Sequence, residues 1–513
     1  MKVTASGIVV ASGGTLVAAC GGGSSATQAA TSGGTPKRGG TLRVGAQGGA
    51  NTDTLDAHNV LTNTDFARLA QLYDPLVRLN DQGQPQLVLA ESVTPNKDAT
   101  EWTIRIRKGV ITHDGKPFGA KDVLFSVNRI ITGKFPGTYS LGPINLKRSK
   151  VLDDHTLLLR FDKPYSILLD GLSLHHYIYM VPIGYNPKQP IGTGPFKLKS
   201  FTPGRESTVV RHTEYWDHPK PYLDSVVTTN INDETAQVNG LQSGQVDAID
   251  YLTAASIAAL QGNSNINVIV SKTGGWVPFT MRVDRAPYSD VRVRQALKLV
   301  IDRPKMLEGV FAGHGQIGND VFGIYDKNFD KSLLPQRVQD LGKARSLLQQ
   351  AGQPNLAVQL ITTPNAPGMV QAAQVFKTQA AAAGVNTAIV NQPVTDYFAR
   401  SYLKVPFSED YWPYLPYLVT VSQDSLKGAP FSATKFDDPT YNQLFAKATS
   451  TLDPVQQRDA VHQMLKIDYD QGGNIIPFFF PVIDAVSSKV HGVGPSVTGQ
   501  ALRTFQFKEF WIS

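Results

Sequence analysis

Between Leu89 and Arg129 the spacing of apolar residues changes period once, and that change limits what the chain can fold into. Trp102, Ile104 and Ile106 alternate with Thr103, Arg105 and Arg107, the period of a strand with one buried face. Asp114-Gly115 then marks a tight turn. After Pro117, Ala120, Val123, Leu124, Val127, Ile130 and Ile131 recur at helical spacing. A buried strand, a turn and an amphipathic helix in such close succession predict a mixed α/β globular protein.

Length sets the number of lobes. A chain of 513 residues exceeds what one hydrophobic core serves, so two or three are expected. Apolar residues make up 41% and charged residues 18%, ordinary for a folded protein. The formal charge of +7 is spread along the chain. It forms no basic stripe with a reading helix or stacking aromatics, so nucleic acid is not an expected partner. The lone cysteine, Cys20, excludes an intrachain disulfide and any multi-cysteine metal site. No stretch after residue 20 is long and apolar enough for a transmembrane helix.

Residues 1–20 read as a targeting segment. Lys2 supplies a sparse positive end, and Val17-Ala18-Ala19-Cys20 matches the bacterial lipobox, where small side chains permit cleavage before a cysteine that takes a lipid. Gly13 and Gly14 interrupt the apolar part. Residues 21–40, rich in Gly, Ser, Thr and Ala, cannot bury a core and are expected to form a flexible tether reaching roughly 25 Å.

Family-like blocks recur downstream. Leu89-Ala90-Glu91-Ser92, Trp102 to Val110 and His113 to Phe118 are followed by Ala120-Lys121-Asp122-Val123. Further on come Ile191-Gly192-Thr193-Gly194-Pro195-Phe196 and Pro287 to Leu297. In this order they resemble the extracytoplasmic solute-binding proteins of ABC importers in the peptide/nickel class. Gly119 stands where the family usually has Thr or Asn, a weaker helix cap. The resemblance implies a two-lobed periplasmic-binding-protein-like α/β fold with an inserted domain and a hinge. The expected division is lobe I over 41–70, 191–276 and 488–513, an insert over 71–190, and lobe III over 277–487. It also implies an extracytoplasmic, lipid-anchored monomer that delivers a small-molecule solute to an ABC permease and ATPase.

No enzyme constellation is present: G-x-S-x-G, H-E-x-x-H and a Walker A loop are all absent. A hydrolase is therefore the least supported class. A sensory or adhesive lipoprotein on the same fold is an alternative that fold alone does not separate. His175-His176 would point opposite ways on a strand and is expected to be structural. No metal and no cofactor are expected.

The stretch Ser408–Ser422 carries the ligand argument. Tyr411, Trp412, Tyr414 and Tyr417 crowd together with Pro413 and Pro416, which reads as a loop lining a surface. In peptide-binding relatives a tryptophan here is followed three residues later by an aspartate that holds the peptide ammonium, and an arginine near a Pro-rich turn holds its carboxylate. Trp412 is followed at that spacing by Leu415, and Ile361–Pro367 contains no arginine. The expected ligand is thus a non-peptide organic solute, ranked above an oligopeptide and both above nickel. Candidate ligand-binding residues are Trp412, Tyr411, Tyr414, Tyr417, Trp276 and Asn51, with Gly274 and Gly275 as the expected hinge and Cys20 as the lipidation site.

Overall fold

The protein is described by a computed structural model covering residues 34–60 and 62–513; Cys20 and its lipobox lie outside the described residues. The first sheet is built around the strand Thr41–Ala46, which runs parallel to Ser225–Asn230 on one side and to Ala248–Ile249 on the other. Antiparallel strands extend it in both directions, through Glu206–Arg211 to Phe196–Thr202 and through Phe478–Ser487 to Ile266–Trp276. Phe478–Ser487 therefore belongs to this sheet, although the sequence placed it in the third segment. Its long apolar run is explained by the pairing: every residue from Phe478 to Val486 is buried, as a central strand covered on both faces requires.

A second sheet joins Asn386–Asn391, Ala357–Thr362, Phe407–Glu409, Phe279–Met281 and Asn474–Ile475. Two chain segments pass straight from one sheet to the other. Trp276 ends a strand of the first and Phe279 begins one of the second, with Pro278 between them; Ile475 and Phe478 do the same in reverse around Pro477. Proline cannot donate to a ladder, so each crossing falls where sheet pairing stops.

The region that opened the sequence argument forms a third, antiparallel sheet, in which Glu101–Ile106 lies between Ala90–Pro95 and Thr156–Arg160. Trp102, Ile104 and Ile106 face inward at 4%, 0% and 0% exposure, as their alternation requires. Helix Ala120–Thr132 buries Ala120, Val123, Val127 and Ile130. Gly119 at its start is more than a weak cap. A Cβ there would stand 2.3 Å from the Asp154 carbonyl oxygen, and the Gly119 N–H is taken by Asp122 Oδ2 at 2.9 Å.

Three other expectations change. The end of the tether is docked, with Arg38 Nη2 donating to the Pro219 carbonyl at 3.0 Å and the Gly40 N–H to Asp224 Oδ2 at 3.0 Å. His175–Tyr177 is a 3-10 turn and not a strand. Thr504–Trp511 reads from the sequence as a closing strand, but a left-handed turn occupies Leu502 to Phe505, with φ between 46° and 58°, and only Trp511–Ile512 is strand. Left-handed L-residues cost about 1–2 kcal/mol each, and the Leu502 N–H is anchored to Asp484 Oδ2 at 2.7 Å.

Candidate ligand-binding cleft

A cavity of about 310 Å³ lies where all three parts of the chain meet, a volume at the small end for solute pockets. Helix Asn63–Leu72 contributes Asn63 and Phe66, and the C-terminal segment contributes Gln500. Leu174, His176 and Tyr177 form the wall from the inserted region. Tyr402, Tyr411, Trp412, Leu415, Gln423 and Phe431 close the far side. Among the described residues no Asp, Glu, Lys or Arg lines it. His176 packs edge-on against Phe66, 5.0 Å between centroids, and among the described residues no group of three His, Cys, Asp or Glu could hold a metal ion.

The six candidate residues separate sharply. Tyr411 and Trp412 line the cavity. Trp276 lies directly beneath Trp412, stacked at 5.8 Å and 9°, and their backbones exchange N–H···O=C bonds of 2.9 and 3.0 Å. The stack continues inward through Phe322, 5.0 Å from Trp276, to Tyr417, 5.1 Å further. Tyr417 is 1% exposed and donates to Asp468 Oδ2 at 2.7 Å, so it supports the wall from the core. It also begins a helix, Tyr417–Asp424, where the sequence suggested a loop. Tyr414 turns away and meets Tyr325 edge-on. Asn51 sits in an exposed turn beside Gly204 and does not line the cavity.

Gly274 and Gly275 lie in the bulge between Lys272 and Trp276 of the long strand. Neither has a positive φ, so conformational freedom is not what they supply. A Cβ on Gly274 would fall 2.6 Å from Tyr414 Cδ2, and one on Gly275 2.3 Å from Phe480 Cζ. Phe480 in turn stacks on Tyr411 at 5.3 Å. These glycines let aromatic rings close onto the strand that crosses between the sheets.

The sequence did not point to the acidic groups behind this wall. Asp410 Oδ1 accepts from the Tyr411 N–H at 2.8 Å, and its Oδ2 faces Trp412 Nε1 at 3.3 Å. Burial pushes its carboxyl up to about 8, with the nearby Asp424 adding to the effect. Asp424 is itself raised to about 6, again by burial. Glu409 is fully buried, neither carboxyl oxygen accepts a well-formed hydrogen bond although Thr362 stands beside it, and burial holds it well above the usual carboxylate range. Burial thus favours the neutral forms of Asp410 and Glu409 behind the cleft wall. The one available signal was their position, an acidic pair running directly into Tyr411 and Trp412.

Comparison with known proteins agrees with this architecture. The sequence profile of bacterial extracellular solute-binding proteins, family 5 (middle), matches residues 84–420. The oligopeptide-binding protein AppA of Bacillus subtilis is 29% identical over 345 residues, 63% of this chain and 61% of that protein. The glutathione-binding protein GsiB of Escherichia coli is 27% identical over 319 residues, 60% of this chain and 61% of that one. The chain thus spans about three fifths of the length of these curated relatives. Among solved structures, the binding protein AgaA of A. tumefaciens, in complex with agropinic acid, superposes with a TM-score of 0.79 at 23% identity, covering 92% of this chain and 99% of that one. That likeness shows the α/β fold of the periplasmic binding proteins. The chain belongs to the bacterial extracellular solute-binding proteins of family 5.

Proposed function

We propose that the protein captures a small, ring-bearing, non-peptide organic solute in the cavity against Tyr411 and Trp412 and delivers it to the permease and ATPase of an ABC importer. The observation that carries this is the absence, among the described residues, of any charged side chain on the cavity wall. A zwitterionic dipeptide would bury an ammonium and a carboxylate there, and each unpaired ion costs several kcal/mol. The faces of Trp412, Tyr411 and Phe431 instead suit a flat ring, a sugar ring or a diffuse cation, the last gaining roughly 0.5–2 kcal/mol per contact.

In this proposal the crossings at Pro278 and Pro477 form the hinge, with the bulge at Gly274 and Gly275 leading into one of them. A solute touching all three walls favours the closed arrangement by its differential affinity, and the closed shape is what the permease engages. The protein acts as an extracytoplasmic monomer held to the membrane through Cys20. The relatives named as binding oligopeptides and glutathione keep peptide uptake as the alternative.

A calorimetric panel of sugars, quaternary amines, aromatic acids and dipeptides against the purified protein tests this. A non-peptide solute is expected to bind with an affinity that drops at least about tenfold in Trp412→Ala. Tight dipeptide binding that Trp412→Ala leaves unchanged would sink the proposal.

A further inference from the structure

A second and larger cavity, about 530 Å³, opens between the inserted region and the C-terminal segment. It shares no lining residue with the cleft, and its character is opposite. Five cationic side chains and three carboxylates line it. Three of the cations are matched. Arg503 Nη2 pairs with Asp81 at 2.8 Å, Lys220 with Glu509 at 3.0 Å, and Lys508 with Asp217 at 3.3 Å. Asp74, behind the wall, is already taken up by Tyr215, Trp216 and Thr193.

Arg78 and Arg107 remain. Arg78 Nε donates to Gln86 Oε1 at 3.1 Å, its Nη2 is 3.7 Å from a Glu509 oxygen that Lys220 holds more closely, and its Nη1 is buried with no hydrogen-bond partner. Arg107 lies over the Trp216 ring at 5.1 Å, and only its Nε is bonded, to the Val88 carbonyl at 2.5 Å. Among the described residues, Arg78 Nη1 is thus a buried donor with no acceptor, and the terminal nitrogens of Arg107 make no hydrogen bond to the protein. A buried donor left unmatched is destabilising and calls for an explanation, and guanidinium forks match oxyanions best.

We propose that this cavity binds a small oxyanion, a carboxylate or a phosphate, through Arg78 and Arg107, with Gln86 and Gln506 as neutral partners. It is a site separate from the solute cleft and does not depend on what the cleft binds. The left-handed turn at Leu502–Phe505 is what presents Arg503 and Thr504 to this cavity while Gln500 lines the other.

The test is calorimetric titration of the full-length protein at constant ionic strength, with citrate in one arm and inorganic phosphate in the other. Saturable one-to-one binding of at least one probe is expected, and which arm binds decides between carboxylate and phosphate. Gln86→Glu supplies an internal carboxylate to Arg78 at an exposed position. It is expected to leave the fold intact and weaken the probe by at least about tenfold. Arg107→Gln is expected to do the same, and the bound probe should raise the melting temperature of the wild type but not of Gln86→Glu. Trp412→Ala should leave probe affinity unchanged. No saturable binding up to about 10 mM would overturn the inference. So would affinity that both substitutions leave unmoved, which marks an adventitious ion only. Loss of probe binding in Trp412→Ala would place the anion in the cleft, overturning the second site without touching the cleft proposal.

Discussion

The cleft cavity and the cavity at Arg78 and Arg107 are built by the same chain from opposite materials. Around the cleft, acidic groups stand back from the wall and burial disfavours their ionised forms: Asp410 is raised to about 8 and Glu409 well above the usual range. Around the second cavity three cations are matched with carboxylates, while Arg78 shares Glu509 only at 3.7 Å and keeps a buried Nη1 without an acceptor. The first arrangement rewards ring faces and penalises ions; the second rewards an incoming anion. Burying charge without a partner shifts its protonation, while pairing it preserves the charge.

Substitutions can break this contrast, and Trp412→Ala should do so most strongly. It removes a 6% exposed ring from a stack of four aromatic side chains, and is expected to cost about 3–5 kcal/mol in urea unfolding. Gly275→Ala comes next. Its methyl group would meet the Phe480 ring and is expected to cost about 1–3 kcal/mol. It should also weaken solute binding, because Phe480 carries Tyr411, while citrate binding at the second cavity stays the same.

A smaller effect sharpens the electrostatic half of the comparison. The Asp410 carboxyl titrates at about 8 in the folded protein against an ordinary value of 3.8. Its contribution to stability is therefore fully present below about 3.8 and is lost as pH rises through about 8. Asp410→Asn cannot titrate. Between pH 4 and 8 its unfolding free energy should fall less steeply than that of the wild type, by about one proton in the linkage slope, measured from urea midpoints. The smallest effect is expected of Tyr414→Phe. The Tyr414 ring faces Tyr325 away from the cavity, so solute affinity should stay within about twofold of the wild type.

What could be read in the sequence depended on how local the cause was. The strand Glu101–Ile106 and the helix Ala120–Thr132 were visible because period two and period 3.6 are set within a few residues. Asp290 caps its helix through the Arg292 N–H at 2.8 Å, and Val293, Ala296 and Leu297 are fully buried, again as local spacing dictates. The aromatic run at Tyr411–Tyr417 was visible as a cluster but not as a direction. Irregular backbone from Asp410 to Pro416 gives way to a helix at Tyr417, so two rings face the cavity and two do not. The pairing of Phe478–Ser487 in the first sheet was not legible, because an apolar run does not reveal which sheet receives it. The pairing of Arg78 and Lys220 with Glu509 joins residues hundreds of positions apart, and no periodicity carries that information. The left-handed turn at Leu502–Phe505 contains no glycine, the residue that would have announced it.

End charge on the ligand is the point on which the cleft proposal turns, and calorimetry measures it directly. An aromatic dipeptide with free termini and the same dipeptide acetylated and amidated differ only in those charges. With no charged side chain on the wall, the blocked form is expected to bind more tightly than the free one at pH 7. Tight binding of the free dipeptide, abolished by blocking its ends, would contradict the proposal.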